Sequence, residues 1–98
     1  MKQHELLISE KATESFREII ARTQEVSLVS AEKVRQKIMH KLHYIGHHPM
    51  QGTRKMEMPD AIGHIRLLQV LNYKIIFRLE EARIVVLDML VDKNKKSE

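Results

Sequence analysis

The sequence predicts an α+β fold: an N-terminal strand, an α-helical hairpin, then a three-stranded antiparallel meander completing one sheet, in the order β-α-α-β-β-β. Three observations lead there. Two runs of apolar residues at helical spacing lie close together in the first half. All three glycines and both prolines fall between residues 46 and 63. Beyond them, β-branched and aliphatic residues dominate, in alternating patterns. Helices and strands are segregated along the chain, which favours α+β over α/β.

His4 to Ile8 is an apolar run too short for a helix and reads as the first strand. Ser9 is placed to cap the helix that follows, with Glu10 in the first turn to suit the helix dipole. Ala12, Phe16, Ile19, Ile20 and Thr23 recur at helical spacing, so the first helix is predicted over residues 10 to 25. Ser27 or Ser30 can cap a second helix, with Val34, Ile38, Leu42 and Ile45 as its buried stripe and Met39 beside it. Gly46 is predicted to end this helix as its C′ residue, and Pro49 to confirm the stop. So short a link predicts an antiparallel pair.

Residues 46 to 63 read as loop, with a short strand near Arg54 to Met58. Ile65 to Leu71, Tyr73 to Leu79 and Ala82 to Leu90 read as strands. Tyr73, Ile75, Phe77 and Leu79 alternate with Lys74, Ile76, Arg78 and Glu80, the pattern of a half-buried strand. Asn72 and Glu80-Glu81 mark the reversals, and Phe77 and Val85 are expected in the core.

Ninety-eight residues are expected to form a single domain. Hydrophobic residues at 43% and charged residues at 31% suit a globular chain rather than a disordered one. Without cysteine there is neither a disulfide framework nor a thiolate zinc site. The longest apolar runs, such as Ile84-Val85-Val86-Leu87, are too short to span a bilayer, and the first residues lack the apolar stretch of a signal peptide. No membrane association is expected, and the chain reads as cytoplasmic. The net charge of +4 makes it a basic protein, attractive to nucleic acid, ribosomes or acidic protein partners.

Six histidines are many for this length. His40, His43 and His47 share one helix face, with His48 adjacent. Zinc can be held by such a set. However, His47 follows the glycine expected to end the helix, and no carboxylate partner is evident. The reading is therefore no metal and no cofactor, with cationic side chains favourable to the helix dipole.

"LHYIGHHPMQG" (42 to 52) resembles the exit from the second helix in the RelE/ParE toxin superfamily, the toxins of plasmid stabilisation systems. "MPD" (58 to 60) and "IRLLQVLNYKIIFRLEEARIVVLDML" (65 to 90) are similar to that family's arginine-bearing strand, its aromatic middle strand and its last strand. Here the aromatic of the middle strand is Phe77, and Lys74 follows Tyr73. The resemblance lies in order, length and hairpin pattern together, over nearly the whole chain.

The resemblance implies the toxin of a type II toxin–antitoxin system, held inactive by a cognate antitoxin and oligomeric only with it. One branch, RelE-like, is a ribosome-dependent endoribonuclease acting on mRNA. The other, ParE-like, inhibits DNA gyrase by binding it. Metal-independent RNA cleavage needs a base, cations for the charged phosphate and an acid for the leaving oxygen. By resemblance, cations near the end of the last strand and on the strand of Arg66 supply that charge. A C-terminal tyrosine or histidine commonly completes the site.

Laid against that branch, Asn94 stands where an essential arginine is expected, and the tyrosine has no counterpart before Glu98. Asparagine lacks the bidentate cationic fork. His64 and Arg66, two apart and so on one strand face, could still act as base and charge stabiliser, helped by Lys93, Lys95 and Lys96. The polar-basic ending "DKNKK" (92 to 96) also resembles ParE-like chains. The preferred reading is a ParE-like binder rather than an enzyme, with Arg66, Lys93, Asn94, Lys95 and Lys96 touching the target. A RelE-like ribonuclease with a reduced site, or an inactive binding module, is the alternative.

Overall fold

The computed structural model describes residues 4–50, 53–56 and 64–92. Their elements are β1 (Glu5–Ile8), α1 (Glu10–Val26), α2 (Leu28–His47), β2 (Thr53–Met56), β3 (His64–Val70), β4 (Tyr73–Leu79) and β5 (Arg83–Val91). One sheet orders them β1-β5-β4-β3-β2. β2 through β5 pair antiparallel in succession, and β1 closes the far edge parallel to β5. The α+β order stands as expected, and the short strand anticipated in the loop forms as β2 and adds a fourth member to the meander.

Both helix starts follow from local chemistry. Ser9 Oγ accepts the Ala12 N–H at 3.0 Å and donates to the Leu87 carbonyl at 3.0 Å. One hydroxyl therefore satisfies an orphan amide of α1 and ties the helix to β5. Ser27 links the helices alone. Its N–H donates to Thr23 O at the end of α1, and its Oγ accepts the Ser30 N–H at the start of α2. With φ −165 and ψ 128 it is extended, which breaks the helical path and turns the chain. The antiparallel return is fixed at the other end, where His4 N–H donates to Gly46 O at 2.9 Å.

That contact corrects the reading of Gly46. The helix does not stop there; it runs through His47, with His48 as its C-cap. Gly46 is buried, and its carbonyl receives the chain entering β1. A glycine at this point permits close backbone approach rather than a left-handed turn. The stop comes instead from Pro49, which disfavours helical geometry in the residue before it. His48 accordingly lies at φ −136, ψ 65.

The core forms where one face of the sheet meets the helices. Ala12 and Ile19 of α1 and Val34, Ile38, Leu42 and Ile45 of α2 pack with Leu68, Val70, Ile75, Phe77, Ile84, Val86 and Met89. The predicted stripe of α2 is buried throughout, whereas Met39 faces solvent. Phe77 is in the core as expected, but Val85 is not. It alternates with buried Ile84 and Val86 and is only half-buried, because successive strand residues point to opposite faces.

Two irregularities shape the sheet. The β4–β5 register shifts so that Ile76 faces Asp88 while Phe77 faces Val86, leaving Leu87 as the extra residue of a β-bulge. Beside it, Asp88 accepts from Ser15 Oγ at 2.6 Å and pairs with Lys11 at 3.8 Å, which anchors α1 across β5. In the β3–β4 turn, Leu71 takes φ 54, a left-handed value that glycine would adopt without steric cost.

Candidate protein-docking site at the exit of the last strand

Among the expected site residues, His64 and Arg66 lie on β3, two apart on one face as predicted. His64 is exposed and Arg66 half-buried. Arg66 is committed within the fold. Its Nε donates to Thr53 Oγ1 at 2.7 Å and its Nη2 to Thr53 O at 3.1 Å. Thr53 Oγ1 in turn donates to Pro49 O at 2.9 Å. One of the two guanidinium edges that can grip a phosphate, the Nε/Nη2 edge, thus fastens β2 and the end of the helical hairpin to β3.

The other expected residues, Lys93, Asn94, Lys95 and Lys96, lie outside the described residues. The strand leading to them is tied at its end to β4 and the β3–β4 turn. Val91 pairs with Tyr73, and Asp92 N–H donates to Asn72 O at 2.7 Å. Asp92 also pairs with Lys74 at 3.6 Å. These contacts place the strand exit beside the β3–β4 turn. His64, opposite Leu79, is at the other end of β3. The described chain therefore leaves the sheet at the end away from His64.

Beside that exit is a groove of about 210 Å³, lined by Ser15, Glu18, Ile19, Arg22, Tyr73, Met89, Leu90 and Val91. Its floor is mainly apolar side chain, and Glu18 and Arg22 of α1 contribute charge of both signs. Sequence reasoning missed it because α1 and the end of β5 meet only in the folded chain. The one available signal was the pair Leu90-Val91, apolar residues that continue to the end of the strand; both are over 40% exposed.

A second exposed apolar patch lies at the tip of the hairpin, where Val26, Leu28 and Val29 are exposed. It is flanked by Glu32, Lys33 and Gln36. Arg35, hydrogen-bonded to Glu32, holds the Glu32 carboxyl below its usual range, and Arg35 is raised in return. Among the described residues no group of three or more histidine or carboxylate side chains is placed to hold a metal. No helix among them is long and apolar enough to cross a membrane.

A strand, a helical hairpin and an antiparallel meander whose last strand pairs parallel with the first define this α+β fold. A chain of the chromosomal ParDE TA (toxin–antitoxin) system from P. aeruginosa has the same fold, with a TM-score of 0.74 over 91% of this chain and 96% of that one. The two sequences are 19% identical over this match. No protein-family model matches the chain, and no curated protein does.

Proposed function

We propose that this protein is the toxin of a type II toxin–antitoxin system, ParE-like in action. It inhibits DNA gyrase by binding and is neutralised in the cytoplasm by a cognate antitoxin. The likeness of fold to a chain of a ParDE system supports the toxin–antitoxin assignment. The observation that carries binding over RNA cleavage is the commitment of Arg66 to Thr53. The side-on edge of the best-placed cation of a ribonuclease site is taken up in holding β2. The groove beside the β5 exit offers an apolar surface next to the point where the lysine-rich ending begins. Apolar contact would supply affinity there, and the lysines would steer an acidic partner.

Expression from a tightly controlled promoter without antitoxin tests this. Growth arrest with a DNA-damage response and gyrase-dependent breaks is the expected result. Blocked translation with cleaved messages would overturn it in favour of the ribonuclease, and unimpaired growth would reduce the protein to a binding module. Changing Lys93, Lys95 and Lys96 together to alanine should weaken partner binding most at low salt, where exposed charges are least screened.

A further inference from the structure

We propose that His43 and His47, one turn apart on the exposed face of α2, form a two-imidazole site for a divalent transition ion of the zinc, nickel and copper class. The site exists because the helix does not end at Gly46. With α2 running through His47, the two residues are true i, i+4 neighbours on a regular helix. Their ring centroids lie 5.1 Å apart, and both residues are exposed, so an ion can reach them without opening the fold.

The hydrogen bonding prepares the ligand. His47 Nδ1 lies 3.4 Å from His43 O. A carbonyl only accepts, so this contact favours the tautomer with the proton on Nδ1, which leaves the Nε2 lone pair for an ion. A backbone carbonyl on the far ring nitrogen is the usual partner of a metal-bound histidine, fixing tautomer and orientation. The position also suits a cation, since His47 is in the last turn of α2, at the negative end of the helix dipole.

His48 does not complete the set. Its ring packs on Tyr44 with centroids 4.8 Å apart and is 6.4 Å from that of His47. Two protein ligands, with water in the remaining positions, fit an accessible and exchangeable ion rather than a structural zinc. Imidazole ligands select zinc, copper and nickel over magnesium and calcium.

Titration of the full chain with Zn²⁺ and with Ni²⁺ by calorimetry, in a non-chelating buffer, tests the proposal. Saturable binding of one ion per chain is expected. His43→Ala and His47→Ala should each weaken it by about tenfold or more, with far-ultraviolet circular dichroism confirming that both variants fold. His40→Ala and His64→Ala should leave it nearly unchanged. In nitrogen-15 spectra of the imidazoles, Nε2 of His43 and His47 should shift on adding Zn²⁺ while the nitrogens of His4 and His64 do not. Absence of saturable binding, binding that survives the double alanine variant, or an equal loss in His40→Ala would overturn it.

Discussion

Leu28 and Val29 at the start of α2 are 72% and 77% exposed, whereas Ile38 and Leu42 further along the same helix are 0% and 1% exposed. The residue types are alike and the helix is continuous, so propensity does not explain the difference. Ile38 and Leu42 belong to the core cluster shared with the strands, and the hairpin tip does not. Full burial of such a side chain is worth roughly 1.5–3 kcal/mol. At the tip that free energy is left unrealised, and exposed apolar surface of this kind is available to a partner.

Substitutions along α2 can break or sharpen the contrast. The largest effect is expected from Leu42→Ala, at about 2–5 kcal/mol of lost stability in urea denaturation, because it opens a cavity in a fully packed site. A much smaller loss there would mean that the base of the hairpin is loosely packed. Ser27→Ala should cost about 1 kcal/mol, since its hydroxyl caps the start of α2 at 3.1 Å from Ser30 N. The smallest effect is expected from Leu28→Ala, within about 0.5 kcal/mol of the parent in the same experiment. A loss comparable to that of Leu42→Ala would show the tip to be covered in solution, for instance by a second copy.

Most of the fold was legible because its signals are short-range. The stripe Val34, Ile38, Leu42 and Ile45, the Ser9 cap and the alternation through Ile75 and Phe77 each depend on residues within a turn or two of one another. Gly46 was misread because the contact that gives it meaning comes from His4, more than forty residues away. Val85 was misplaced because an apolar run does not announce which of its members face the helices. The candidate site was legible in part. The positions of His64 and Arg66 on one face of β3 followed from the period of a strand, but the role of Arg66 as a fastener depends on where Thr53 lands when β2 pairs with β3.

By itself, then, the sequence determined the order of elements, the buried faces of both helices and the Ser9 cap where the first helix begins, since all of these follow from spacing and caps within a few residues; the second helix start it left open between Ser27 and Ser30. Tertiary structure alone decided that Gly46 stays helical, that Leu87 bulges beside Asp88, that Arg66 binds Thr53 and that a groove opens between α1 and the end of β5. Each of these depends on residues far apart in the chain. Whether they meet is settled by packing and strand register, which no local pattern encodes.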